Sequence, residues 1–489
     1  MSPFLLHTAA RKHPDTIALD AGFQQWTWVE LNQRTTQLAR YWRQEGLESG
    51  QRVILYGDLS AGKVLLFWSL VRAGCIVAPV SERFAEAERA ELLRPLTPAA
   101  VVVERGKWSG SSPAPLFFWD TALRASLALP ADFAEDHDDE HLPATLIWTS
   151  GSSSRPKAAL HSLFNHLQSA RGSGQNLLLK PGDRWLLSLP VVHVAGIAIL
   201  CRCAVSGATV VLPEAGIPLS EQLLLTEPTH LSLVPTQLQR LLQAGDEVVE
   251  RLQKTKAILL GGSAIPASLL READRMGLPV YTSYGSTEMS SQITTTGPGS
   301  TLEQRLNSAG WLLPHRELCL DDEGAVCVKG DTLFLGYWEE GGLRHPVNKQ
   351  GWLVTRDRGC WNEDGSLRIL GRLDNMMISG GENIQPEEIE GILQQHPHVS
   401  QALVVAVQDE VYGHRPAAFV QWREEGEGSV EGLRGFLGQH LARFKIPDHF
   451  LNWPTEAMMT GFKVHRASFQ ALAEESLAQT RMDCDKKRA

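Results

Sequence analysis

Cysteine is scarce in this 489-residue chain: there are seven, and no pair has the Cys-x-x-Cys spacing. Cys201 and Cys203 come nearest to it. Structural metal sites need clustered thiolates and disulfide frameworks need partners, so the expectation is reduced thiols in a cytoplasmic protein. Basic clusters are scarce too. The formal net charge is -10, and the one run of cations is Lys486-Lys487-Arg488 at the C-terminus. A phosphate backbone calls for Lys and Arg massed on one surface, which argues against nucleic acid as a partner and leaves that run a solvated, frayed tail. Long uncharged apolar runs are missing as well. The most apolar window, residues 191–212, contains His193 and Arg202. A charge at the centre of a bilayer is costly, so a buried segment is expected here and not a membrane span. Arg11 and Lys12 follow a short apolar run with no cleavage pattern behind it, and no signal peptide is expected.

What is present is globular: 43% hydrophobic and 21% charged residues, over a length that calls for two or three domains and not one core. Residues 14–130 mix helical periodicity, over 28–42 and 61–73, with short apolar strands such as Arg52-Val-Ile-Leu-Tyr56 and Ala100-Val-Val-Val103. Beyond residue 180 apolar runs and helical stretches alternate, starting at Trp185, Thr209, His230, Ala257 and Val280. That alternation predicts α/β sheets. From residue 316 the runs shorten and turns multiply, as at Asp322-Glu-Gly324 and Glu363-Asp-Gly365, which predicts a small β subdomain. After Arg372 the pattern becomes α+β. A helix is expected over 386–394, with Pro386 in its first turn and Glu387 and Glu388 behind it; strands follow over 402–407 and 417–421, then a helix over 430–443. The expected division is a large domain over 1–372, a small one over 374–475 with a boundary near Asp374, and a disordered tail over 476–489. Glu135-Asp-His-Asp-Asp-Glu-His141 reads as a solvated connecting loop in preference to a metal site, because like charges repel and extend.

Six motifs carry chemistry. Thr149-Ser-Gly-Ser-Ser-Ser-Arg-Pro-Lys157 follows the apolar run Leu146-Ile-Trp148. Hydroxyls and backbone N–H groups on a tight loop, with a Lys after them, suit a phosphate; a plain serine-rich turn is the alternative. It is not the Walker pattern, which puts Gly where Pro156 stands. Gly261-Gly262-Ser263 closes a predicted strand, where ligands approach backbone in α/β sheets. In Tyr284-Gly285-Ser-Thr287-Glu288 the aromatic can stack on a base, and Thr and Glu can serve phosphate and Mg²⁺, although an ordinary loop fits equally. Thr355-Arg-Asp357-Arg-Gly359 offers a carboxylate for ribose hydroxyls or a turn-capping Asp. Gly371-Arg372-Leu-Asp374 leads through Gly380-Gly381 to the helix at Pro386, and Gly461-Phe-Lys463-Val-His-Arg466 lies near the C-terminus.

In this order the six motifs resemble those of the adenylate-forming superfamily, which includes acyl- and aryl-CoA synthetases, peptide-synthetase adenylation domains and beetle luciferases. The resemblance covers residues 140–470. Its nearest branch is the o-succinylbenzoate–CoA ligase family of menaquinone synthesis, matched at 185–196, 232–238, 355–359, 380–388 and 413–416. The resemblance implies a carboxylic acid as substrate, ATP with Mg²⁺, and coenzyme A as acyl acceptor. Oligomeric state stays open, and loading of a carrier protein is disfavoured because no carrier domain follows residue 475.

By the same resemblance Ser150, Ser152 and Lys157 hold the β- and γ-phosphates, and Gly151 and Ser153 belong to the same nucleotide-binding loop. Glu288 holds Mg²⁺, with Thr149 and Thr287 near phosphate oxygens. Tyr284 stacks against adenine, Gly261, Gly262, Ser263 and Gly285 belong to the nucleotide-binding set, Asp357 and Arg372 hold the ribose, and Lys463 bridges the acid and the α-phosphate. Asp374 is the hinge that brings Gly380 and Gly381 to the pantetheine path. His193 stands by the acyl pocket, with a satisfied core histidine as its alternative, and Arg202 recognises the ring carboxylate of a diacid. Two departures stand out: Ser153 and Ser154 replace the family's usual Thr and Gly, and the proline common before Lys463 is absent.

Overall fold

The apolar runs of the sequence become the central strands of two large sheets, and the helical periodicities become the layer between them. The computed structural model describes residues 4–132, 139–149, 156–409, 411–423, 428–454 and 466–486. One sheet has nine strands, built on parallel strands Arg184–Leu186, Thr209–Val211, His230–Leu233, Ala257–Leu260 and Val280–Ser286. At one edge the direction reverses, and Ser291–Thr295 runs antiparallel to Val280–Ser286. The second sheet has eight strands. Its parallel strands Ile76–Val80, Arg52–Tyr56 and Ala100–Val103 continue into the antiparallel pair Pro143–Thr149 and Lys157–Ser162.

Helices Trp28–Gln44, Ala61–Arg72, Leu163–Leu177 and Val194–Ser206 pack with strand residues of both sheets, including Val53, Val77, Trp185 and Val210, in one continuous core. A helix between two sheets must be apolar on most sides. Val194–Ser206 is, with every residue from Gly196 to Ala204 buried. Thr27 and Ser162 open two of these helices with capping boxes, and Gly207 closes the last in the left-handed region. Among the described residues no helix is long and apolar enough to cross a membrane.

A four-stranded sheet follows, Glu317–Leu320, Ala325–Lys329, Leu353–Trp361 and Leu367–Arg372, where the sequence predicts the small β subdomain. After the turn Leu373–Asn375 comes a five-stranded sheet with Val399–Asp409 and Gly413–Trp422 at its heart. Helices Pro386–Leu393 and Val430–Gly438 cover one face through Ile389, Leu393, Leu433 and Leu437. Helix Arg466–Lys486 covers the other through Phe469 and Ala473. A large α/β unit with a β subdomain and a small α+β unit is thus the architecture.

Several boundaries differ from expectation. The helix predicted over 430–443 ends at Gly438, where glycine weakens it and the chain turns toward Arg443–Lys445. The tail expected to be disordered from 476 continues as helix to Lys486: it holds no Pro or Gly up to that point, and it extends a helix already docked by Phe469 and Ala473. Tyr284 to Ser286 extend a strand and are not loop.

Candidate active site

Thr149 and Lys157 are paired Cα partners in the antiparallel ladder, so the serine-rich segment bridges the end of a hairpin. Ser150, Gly151, Ser152, Ser153 and Ser154 lie outside the described residues. Thr149 is buried. The Lys157 Nζ stands 5.3 Å from the ring centre of Tyr337, on the neighbouring strand Gly336–Glu339. The Tyr337 hydroxyl donates to Glu288 Oε1 at 2.6 Å. Burial, then the Glu288 charge, pushes the Tyr337 hydroxyl well above its ordinary range. One ring thus brings together the Lys of the first motif and the Glu of the third. Nothing in the sequence marks Tyr337 beyond its fit to a strand.

Glu288 sits in the turn Thr287–Met289, and that turn is held from below. The buried His161 places Nε2 at 2.7 Å from the Thr287 carbonyl. A carbonyl only accepts, so Nε2 carries the proton. Burial lowers the His161 pKa to about 4, and the ring stays neutral. His161 also stacks at 4.9 Å on buried His166, whose Nε2 meets the Thr145 hydroxyl at 2.8 Å.

The residues expected at adenine and ribose are assembled across three strands. The Tyr284 hydroxyl donates to Asp357 Oδ2 at 2.7 Å, and Arg372 Nη1 donates to Oδ1 at 3.1 Å. Asp357 and Arg372 face each other on Leu353–Trp361 and Leu367–Arg372, so Asp357 is a strand residue and not a turn cap. Its pKa is raised by burial, against the hydrogen bond from Tyr284 and the charge of Arg372. Gly261 and Gly262 close strand Ala257–Leu260 as predicted. A Cβ on Gly261 would lie 2.7 Å from Ser283 Oγ, and Gly262 has φ +85°. Ser263 beside them is exposed. Gly285 leaves room for the Ser291 backbone opposite it.

At the junction Asp374 accepts from Arg372 Nε at 2.9 Å and from Arg356 at 3.4 Å. Gly380 and Gly381, with φ +58° and +86°, form the two-residue turn of the hairpin Met377–Ser379/Glu382–Ile384. Lys463 lies outside the described residues. Arg466 is anchored: its guanidinium meets Glu390 at 2.6 Å, Glu387 at 3.3 Å and the Val404 carbonyl. The last motif is thereby tied to the helix of the fifth.

His193 is exposed at the N-cap of Val194–Ser206, which removes the core-histidine alternative. Arg202, on the same helix, is 2% exposed. Its Nε donates to Ser173 Oγ at 2.9 Å, and its Nη2 to Gln292 Oε1 at 2.7 Å and Ser291 Oγ at 3.2 Å. Among the described residues no carboxylate pairs with it. Burial lowers its pKa to about 10, and it remains a cation at neutral pH. Gln292 lies directly across from Gly285 in the ladder, so Arg202 stands one strand away from the Tyr284–Glu288 motif. No cluster of metal-ligating side chains occurs among the described residues, and most of 135–141 lies outside them.

A hairpin that carries the first motif, a half-buried Tyr–Asp–Arg set and a junction of two units at Asp374 are what a nucleotide-activating enzyme would need. The AMP-binding enzyme family pattern matches residues 6–338, and the AMP-binding enzyme C-terminal domain matches 388–457. The chain belongs to the AMP-binding enzyme family. It is similar to the 2-succinylbenzoate–CoA ligase of Haemophilus influenzae, 35% identical over 90% of this chain and 91% of that one. Bacillus subtilis o-succinylbenzoate CoA synthetase with the acyl-adenylate intermediate OSB-AMP superposes with TM-score 0.83, at 28% identity over 96% of this chain and 98% of that one. The same synthetase with ATP and magnesium ion gives 0.80, at 28% identity over 92% and 96%.

Proposed function

We propose that this chain is an acid–thiol ligase that adenylates o-succinylbenzoate with ATP and passes the acyl group to coenzyme A, releasing AMP and pyrophosphate. The observation that carries the choice of acid is Arg202: a buried guanidinium with only neutral partners, beside the nucleotide motifs. A buried cation needs an anion, and a guanidinium fork matches a carboxylate. The substrate has two: the succinyl carboxylate reacts, and the ring carboxylate is held by Arg202. His193 stands at the N-terminus of the same helix, toward the acyl group.

In the first half-reaction the succinyl carboxylate attacks the α-phosphorus and pyrophosphate leaves, so the protein mainly positions groups and stabilises charge. Lys157 and the hydroxyls of Ser150, Ser152 and Ser153 hold the departing phosphates, with Thr149 and Thr287 beside them. Asp357, kept in place by Tyr284 and Arg372, accepts from the ribose hydroxyls. Lys463 neutralises charge between acid and α-phosphate. Glu288 suits Mg²⁺, a hard cation that takes oxygen ligands, since among the described residues only Tyr337 bonds its carboxylate. When bound, Mg²⁺ offsets charge on the phosphate oxygens. In the second half-reaction the small domain, over 374–475, turns about Asp374. Lys463 leaves, and the Gly380–Gly381 turn lines the path of the thiol, which attacks the acyl carbonyl and displaces AMP. The test is pyrophosphate release across a panel of aryl and alkyl acids, then thioester formation on adding coenzyme A. Turnover with o-succinylbenzoate well above the monoacids is expected; equal turnover would overturn the choice of acid.

A further inference from the structure

A second arginine shares the Arg202 wall, and the mechanism above leaves it unused. Arg316 is 6% exposed. Its Nε donates to the Gln292 carbonyl at 2.6 Å, its Nη1 to the Pro314 carbonyl at 2.6 Å, and its Nη2 to Ser169 Oγ at 3.0 Å and Ser169 O at 3.2 Å. Again every acceptor is neutral, and no carboxylate among the described residues pairs with it. Burial first, and the Arg202 charge second, bring its pKa down to about 9. Two cations that repel each other in a buried wall carry a desolvation cost without an internal counter-charge.

The two guanidiniums are joined through shared partners. Gln292 gives its backbone oxygen to Arg316 and its side-chain oxygen to Arg202. On helix Leu163–Leu177, Ser169 bonds Arg316 and Ser173 bonds Arg202, while the Ser173 hydroxyl donates to the Ser169 carbonyl at 3.0 Å. The backbone is shaped around this pair. A Cβ on Gly172 would stand 2.5 Å from Arg316 Nη1 and 2.7 Å from the Pro314 oxygen. His315, immediately before Arg316, has φ +66°, and Ser290 and Ser291 have φ +54° and +113°. Strained backbone persists only where its surroundings enforce it, and it gathers at working sites. Arg316 uses all three of its nitrogens on the protein. Arg202 Nη1 bonds none of the described residues.

We propose that Arg316 is a positioning and specificity residue: through Gln292 and the Ser169–Ser173 turn it fixes Arg202, and its charge makes the acyl site demand a second carboxylate on the acid. This rests on the assignment of Arg202 above. A single arginine meeting one carboxylate would make a neutral pair. With Arg316 behind it the wall keeps a net positive charge even when the diacid is bound, so a monoacid leaves two cations uncompensated.

The test measures KM by pyrophosphate release for o-succinylbenzoate and for the same keto acid lacking its ring carboxylate, in wild type, Arg316→Leu and Arg316→Lys. Arg316→Leu is expected to raise KM for the diacid about tenfold, with KM for the monoacid within about twofold and KM for ATP unchanged. Arg316→Lys keeps the charge and loses most of the carbonyl bonds, and is expected to raise KM for the diacid about threefold alone. Equal shifts for both acids, a shift in KM for ATP, or no shift would overturn the proposal and leave Arg316 a packing residue. If the Leu variant does not fold, the Lys variant decides by the same comparison. Failure of the Arg202 assignment is read separately, as equal KM for the two acids in wild type.

Discussion

Replacing Arg202 by Met separates a structural guanidinium from a substrate-binding one. Met is close in length and apolar, so little cavity forms. On the stability side, Ser173, Ser291 and Gln292 each lose a donor. A buried polar group left unsatisfied costs about 1–3 kcal/mol. The Ser173 hydroxyl still donates to Ser169, which limits the loss. Against this, the variant no longer buries a cation that lacks a counter-ion, a penalty of several kcal/mol. The two terms oppose, and a net change within about 1–2 kcal/mol follows, so Tm without substrate should shift by only a few degrees. Binding has no such offset. Losing one partner of a desolvated charge pair typically costs about 2–5 kcal/mol. Arg202 already shares its donors among three neutral groups, which places it in the lower half, about one to two decades in KM. The assay is pyrophosphate release against diacid concentration, beside a thermal melt without ligand. KM for the diacid should rise while KM for ATP and Tm barely move. An unchanged KM for the diacid, or a fall in Tm that accounts for lost activity, would refute the reasoning.

Lys463→Ala should abolish adenylation yet spare most thioester formation from supplied acyl-AMP; equal loss in both half-reactions would remove its assigned role. Asp374→Pro should do the reverse, because proline fixes φ at the proposed hinge, and normal thioester formation in single-turnover mixing would place the hinge elsewhere. For pH, His161 and His166 are both lowered by burial, His161 to about 4. Groups kept neutral by the fold contribute stability that is complete above their unfolded value near 6.5 and lost as pH falls below it. Urea midpoints should therefore fall from pH 7 toward pH 4.5, and His161→Gln should flatten that slope; an unchanged slope in the variant would assign the acid sensitivity to other groups.

Much of this was legible in the sequence because it rests on local pattern. Strands Arg52–Tyr56, Ala100–Val103 and Ala257–Leu260 fall where apolar runs announced them, and Pro386 opens its helix. The pairing of Asp357 with Arg372, and the closeness of Arg202 to the Tyr284 motif, depend on strand register, which one sequence does not reveal. Tyr337, His161 and Arg316 escaped notice for a common reason. Each acts through a partner far away along the chain, and each looks locally like an ordinary strand or loop residue. The helix over the tail was not legible because its anchors, Phe469 and Ala473, lie before the tail and act by packing on a distant sheet.

The anchoring of Arg466 has a mechanical consequence. Lys463 is three residues from a guanidinium bound to Glu387, Glu390 and the Val404 carbonyl of the small unit. Three residues reach at most about 11 Å. In the proposed rotation that short stretch of chain would carry the lysine along with the unit. The Gly380–Gly381 turn rides on the same body, about eighty residues away in sequence but held by one sheet. Under the proposed rotation about Asp374 one body would carry both groups, so the two proposed half-reactions would follow one another, with the acyl-adenylate waiting on a swing of the small unit before a thiol reaches it.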